Sequence, residues 1–184
     1  DYPLSQQGVI DAVPRIKSTV DSSGADAVFM TSSTASALPL LAQLLPEAGI
    51  QPTVTQYIGL TRWDIPSPTL SLPGLQGGWF ALPDPARSAA FSAKYQAAYG
   101  SAPHPIASLG FDGIAAVGAL VAKGNSNALT GAALTQGAGF QGASGIFRLR
   151  SDGTNDRGLA IATIRNNQVV VIDAAPQSFG GAGF

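Results

Sequence analysis

Residues 24–33 read GADAVFMTSS, a short apolar run (25–30) closed by Gly24 on one side and by hydroxyl residues on the other, and this pattern predicts a buried parallel strand. Upstream, Val9, Ile10, Val13, Ile16 and Val20 recur every three to four residues, the spacing of a helix over 7–22 with one buried face and Pro14 inside it. Downstream, Thr31, Ser32, Ser33 and Thr34 supply N-cap candidates for a helix over 35–48, with Leu38, Leu41, Leu44 and Leu45 turned inward and Gly49 ending it. A second strand is expected over 53–60. Helix, strand, helix, strand is the order of an α/β parallel sheet with helices on both faces.

Beyond this core, 61–75 is proline-rich and without periodicity, a loop leading to a strand over 76–82. PDPARSAAFSAKYQAAYG then reads as a helix with Pro85 near its start and Gly100 just past its end, and Phe91, Tyr95 and Tyr99 share one face. Residues 106–123 form a nearly all-apolar helix that carries Gly110, Gly113 and Gly118 despite their helix cost. A short helix over 127–136 follows, and GIFRL, LAIATIRN and NQVVVID predict three strands in a small meander before the Gly-rich tail SFGGAGF, which is expected to be mobile or tucked along a neighbour. Helix and strand breakers at 82–85 and 137–145 suggest two crossings. They divide the chain into an α/β segment (1–82), a helical segment (83–140), and a closing segment with the meander and tail (141–184).

The composition removes several function classes. Ten basic against eleven acidic residues leave a net charge of −1 over 184 residues, so no basic stripe is available for nucleic acid. Charged residues are only 11%, against about 25% in an average domain, so Ser, Thr, Asn, Gln and Gly must dress the surface. A hydrophobic share of 45% argues for a folded chain, and no run reaches the roughly 18 to 20 apolar residues of a membrane span. The absence of cysteine excludes disulfides, thiolate nucleophiles and Cys-rich zinc sites. The opening DYPLSQQGV has no signal-peptide pattern.

Catalytic motifs are weak. GAGFQG, at Gly137, Gly139 and Gly142, matches the dinucleotide fingerprint by letters, but a helix precedes it and a strand follows, the reverse of what the fingerprint requires. Ser144 lacks the spacing of a nucleophile elbow, and the single histidine, His104, is wedged between two prolines with Ser108 one turn away. SDGTND, with Asp152, Asn155 and Asp156, lacks the register of a calcium loop and reads as a hairpin turn. Asp26 and Asp112 are the carboxylates expected to be partly buried, both in structural roles. Neither a cofactor nor a metal is expected. Open α/β sheets bind ligands beyond the carboxyl ends of their strands, so the candidate binding residues are Ser32, Ser33 and Thr34 after the first strand and Thr61, Arg62, Trp63 and Asp64 after the second. The second group joins an aromatic plate, a guanidinium and a carboxylate, suited to a small polar ligand or to a protein contact.

The ordered series FSAKYQAAYG, FDGIAAVGAL and FQGASGIFRLRSDGTNDR, following GADAVFMTSS and TQYIGLTRWD, resembles the C-terminal half of type 1 periplasmic binding proteins of the leucine/isoleucine/valine-binding class. The resemblance implies two α/β lobes joined by three crossings, with 1–82 and about 145–184 in the second lobe and 85–137 as helices of the first. It also implies that an N-terminal half, in the same or a separate chain, is missing here and would cover the apolar helix 106–123. Amino-acid binders of this class place an acidic residue just after the second strand to hold the ligand's ammonium. Thr61 stands there, which leaves Asp64 as the only substitute, while Ser33 and Thr34 match another ligand-facing position. LTRWD, LPGLQGG, APHP, FDGIAA and SFGGAGF are most similar to alphaproteobacterial penicillin-binding-protein activator lipoproteins. That similarity implies a non-enzymatic periplasmic protein, anchored to the outer membrane through an upstream cysteine, that stimulates a peptidoglycan synthase. The other reading is the substrate-binding component of an ABC importer, with the importer's membrane components as partners and an amino acid or small polar solute as ligand.

Overall fold

The computed structural model describes residues 2–3, 5–122 and 128–180. The described residues form two compact units, one from the stretches 2–81 and 161–173 and the other from 82–160 and 174–180. Each is an α/β assembly with its own core.

In the first unit, α1 (Gln6–Ser23) begins where the Ser5 hydroxyl accepts the Gly8 N–H and ends at Gly24, whose φ of 62° closes a left-handed cap. Pro14 lies inside it, and Val9, Ala12 and Val13 are its buried stripe. Strand β1 (Ala27–Met30) follows, then α2 (Leu38–Glu47) and β2 (Gln56–Gly59). Both strands are shorter than their sequence patterns. α2 starts later than expected because the hydroxyl residues before it do not cap it: its N-cap is Ala37, without a side-chain bond, and Pro39 sits in its first turn. Residues 61–75 hold two short 3-10 turns, Ser67–Ser71 and Pro73–Leu75, ahead of β3 (Trp79–Leu82).

β1, β2 and β3 pair in parallel, with Phe29 beside Ile58 and Ile58 beside Trp79. Buried Met30, Tyr57 and Phe80 occupy the opposite face, and α1 and α2 pack on each other. The Tyr57 hydroxyl, fully buried, donates to the Ile50 carbonyl at 2.5 Å, and burial pushes its pKa above the ordinary value near 10. The native hydroxyl therefore stays protonated where the unfolded one ionises. Its contribution is present below about pH 10 and is lost as the pH rises further. Denaturant melts of wild type and Tyr57→Phe between pH 8 and 11 should converge at the alkaline end.

The second unit starts with α3 (Pro85–Tyr99), capped by the Asp84 carboxylate, which accepts the Ala86 and Arg87 N–H groups, and closed by Gly100. Its ring ladder is as the spacing predicts, Phe91 to Tyr95 at 6.0 Å and Tyr95 to Tyr99 at 4.6 Å. α4 (Ala107–Val121) buries only Asp112, Ala116 and Leu120, while Ile106 before it and Leu109, Phe111, Ile114 and Val121 on it stay exposed. The helix expected over 127–136 is a single turn, α5 (Gly131–Leu134), capped by Thr130. The expected ends at 123 and 127, and residues 181–184 of the tail, lie outside the described residues.

The closing strands do not form one meander. β4 (Phe140–Gly142), β5 (Gly145–Leu149) and β6 (Asn155–Arg157) make an antiparallel sheet in the second unit. β7 (Ala160–Arg165) and β8 (Gln168–Asp173) instead complete the first unit's sheet in the order β1-β2-β3-β7-β8. The division expected after residue 140 thus falls at 160/161. The physical reason is packing: Phe140 and Phe147 join Ala116 and Leu120 in one cluster, so β4 and β5 stay with α4. Within the segment 137–145, read as a crossing, Phe140–Gly142 is strand β4, and Gly139 supplies the left-handed turn before it at φ 68°.

Candidate functional site

The candidate residues fall into two groups with different surroundings. Ser32 and Ser33, past the end of β1, line a cavity of about 890 Å³ together with Ser36, with Ser5 and Gln6 at the start of α1, and with Tyr2. No charged side chain is among its described lining residues. Ser33 is fixed by a local web: its N–H and hydroxyl both donate to the Ser36 hydroxyl, at 3.1 and 3.0 Å, which holds the turn between β1 and α2. The Ser32 hydroxyl is buried and has no protein partner. The Thr34 hydroxyl donates to the Ile65 carbonyl at 2.7 Å, and that of Thr61 to the Ser32 carbonyl at 3.3 Å, so both tie loop to loop.

The second group corrects the sequence reading. Trp63 is not an aromatic plate for a ligand: it is fully buried and stacks on Phe80 at 5.8 Å, so it is core. Its ring fits because Gly59 and Gly78 lack side chains; a Cβ on either would lie 2.4 Å from a ring atom. Gly59→Ala is therefore expected to lower unfolding free energy by about 1–3 kcal/mol through overpacking, readable as a shift of the urea midpoint with unchanged slope. Arg62 and Asp64 close on each other, with the guanidinium Nε donating to Oδ1 at 2.9 Å and Nη2 to Oδ2. A bidentate pair of this kind satisfies both charges and leaves neither carboxylate oxygen free of a donor.

The remaining motif residues have structural partners. The Ser144 hydroxyl donates to that of Ser108 at 2.8 Å, and the His104 Nδ1 accepts the Ile106 N–H. Asp26 is exposed, contrary to expectation, because it precedes β1 at the sheet's end. Asp112 is fully buried, and its carboxylate accepts the Ala143 N–H at 2.6 Å and an Arg157 N–H at 3.1 Å. In the hairpin between β5 and β6, Asp152 accepts from the Thr154 N–H and hydroxyl, which hold its pKa below the carboxylate norm. Asp156 is likewise held low by Arg150 and Arg148. These bonds hold the hairpin turn. Missed by the sequence reading were Ser5, Gln6 and Ser36. The signal for Ser5 was its fit as an N-cap three residues before Gly8.

A parallel-dominated α/β lobe with polar groups gathered beyond its strand ends is the architecture of a two-lobed binding protein. The chain belongs to the periplasmic binding protein family, whose model matches residues 1–168. Members of that family are binding proteins of the periplasm or cell exterior. Among solved structures the chain is similar to one from Rhodospirillum rubrum assigned to a branched-chain amino acid ABC transporter, at 17% identity and a TM-score of 0.70, covering 87% of this chain and 48% of that one. It is also similar to an ABC transporter substrate-binding protein from Desulfitobacterium hafniense (16%, TM-score 0.62, 89% and 48%) and to a leucine-binding protein from Thermotoga maritima (16%, TM-score 0.56, 88% and 48%). At these identities the likeness is one of fold. The chain spans about half the length of these relatives. No curated protein matches it.

Proposed function

We propose that this chain is part of a non-enzymatic periplasmic binding-protein module that regulates peptidoglycan synthesis through protein contacts, as a penicillin-binding-protein activator anchored at the outer membrane. The carrying observation is the closure of Arg62 on Asp64. A receptor for amino acids must present a carboxylate to the ligand's ammonium, because a buried, unpaired ammonium is strongly unfavourable. Here Thr61 has no charge, and Asp64 already holds two guanidinium N–H groups. Trp63 is in the core, and the described lining of the cavity beyond β1 holds hydroxyl and apolar groups, without a charged side chain. The motif series quoted above, from LTRWD to SFGGAGF, supports the activator reading.

The test joins this chain to the half of a family-length protein that it does not span and adds the product to a purified bifunctional peptidoglycan synthase from an alphaproteobacterium. Saturable acceleration of glycan polymerisation or crosslinking is the expected result; an unchanged rate and no co-sedimentation would count against the proposal. The second reading, a substrate-binding component of an ABC importer, is favoured by one observation, the unpartnered Ser32 hydroxyl beside a hydroxyl-lined cavity. Such a site would suit an uncharged polar solute. Under that reading, Ser32→Ala should weaken solute binding by about tenfold, the worth of one good hydrogen bond, and leave synthase rates untouched.

A further inference from the structure

β8 is the last strand of the first unit's sheet, and among the described residues it pairs with β7 alone, so its other edge is open. The turn between the two strands is Asn166–Asn167, with φ of 52° and 60°, the left-handed pair that a type I′ hairpin requires. A two-residue turn of this type makes Arg165 and Gln168 a hydrogen-bonded pair, and antiparallel pairs alternate between bonded and non-bonded. In this register Gln168 and Val170 direct their N–H and C=O groups to β7, whereas Val169 and Val171 aim theirs at the open edge. That edge lacks the usual guards: QVVVI carries no charge and no proline, and valine and isoleucine are strong strand formers. Val171 and Ile172 are 42% and 41% exposed, and the register shift opposite Ile161 and Ala162 falls beyond Val171.

The edge is complementary to itself. Asp173 closes one end of β8, and Arg165, beside Gln168 in the hairpin register, marks the other. Antiparallel pairing with a second β8 brings each Asp173 to the end that carries the partner's Arg165, whereas parallel pairing would gather like charges at the same end. The register that satisfies the outward groups within the regular run sets Val169 against the partner's Val171, and Val171 against the partner's Val169. A two-fold axis then passes between Val170 and its own copy, as a closed isologous contact demands. A net charge of −1 over 184 residues leaves little long-range repulsion to oppose the approach. We propose that two copies of this chain join edge to edge through β8, antiparallel about Val170, so that their five-stranded sheets run on as one. This inference stands apart from the regulatory reading, since it concerns self-association and not the synthase.

The experiment uses the chain joined to the half of a family-length protein that it does not span, so that failure to stimulate the synthase and failure to dimerise are separate results. Sedimentation velocity over a wide range of concentration should show a monomer–dimer equilibrium. Residue-resolved hydrogen exchange should find the Val169 and Val171 amides slowed by about tenfold or more in the dimer, with Val170, already bonded to β7, little changed. Val170→Lys and Val170→Glu each set like charges across the axis and should weaken dimerisation by about tenfold or more, and an equimolar mixture of the two should restore it. Val171→Pro removes an N–H that β7 does not use and should abolish the dimer, which carries the test should the charged side chains disturb the fold. Circular dichroism of each variant shows whether it is folded. A monomer at every concentration would overturn the proposal, as would a dimer in which Val169 and Val171 exchange as fast as in the monomer. So would a dimer indifferent to Val171→Pro, or a mixture of the two folded charge variants that stays monomeric.

Discussion

Asp112→Ala is expected to destabilise the second unit by about 3 kcal/mol, the lower end of the range for breaking a buried ion pair. The carboxylate is fully buried and joins three elements: α4 carries it, the Ala143 N–H after β4 donates to it, and Arg157 of β6 completes the pair. Gly142 presses so close that a Cβ there would lie 2.6 Å from the carboxylate, so little space exists for water to replace the lost group. Alanine leaves one buried N–H without an acceptor, which costs about 1–3 kcal/mol. It also leaves a guanidinium 24% exposed over the Phe147 ring. That exposure lets solvent recover part of the charge, hence the lower end of the range. Asp112→Asn keeps an acceptor for Ala143 and should recover part of the loss. Urea denaturation of the three proteins checks this, and a loss below about 1 kcal/mol for alanine would show that the clasp is not structural.

Trp63→Ala should cost the first unit about 3–5 kcal/mol, as large-to-small aromatic changes in cores do. The ring is fully buried, stacked on Phe80 and seated on the bare backbones of Gly59 and Gly78. Those glycines cannot move a side chain into the void, so the cavity would stay open. Trp63→Phe should lose much less, because the indole Nε1 has no hydrogen-bond partner to forfeit. Thermal and urea melts of both variants test the ordering; equal losses would mean that the indole nitrogen has a partner and that Trp63 is held by more than packing.

The fold was legible where periodicity was strong. The helices at α1, α3 and α4 and the strands β1 to β3 follow from apolar spacing and from Gly24, Pro85 and Gly100 as punctuation. What sequence patterns could not convey was partnership at long range. GIFRL and LAIATIRN look alike as strands, yet β5 pairs with β4 and β6 while β7 crosses to the other sheet, a choice made by Phe140 and Phe147 packing on α4. The short strands β4 and β6 were missed because three residues carry no readable alternation. At the candidate site, position after a strand end located Ser32 and Ser33 on the cavity. It did not show that Arg62 would turn to Asp64 two residues on, or that two glycines would draw Trp63 inward. Residue type marks what chemistry is available, and only geometry shows whether it is already satisfied within the chain.

The most direct test of the account is calorimetric titration of this chain, joined to the half of a family-length protein that it does not span, with leucine, isoleucine, valine and acidic and basic amino acids. The closed Arg62–Asp64 pair predicts no heat of binding and no shift in melting temperature for any of them. Saturable binding at micromolar concentration, with stabilisation of about 2.7 kcal/mol at one hundred times the dissociation constant, would contradict it and return the chain to the solute receptors.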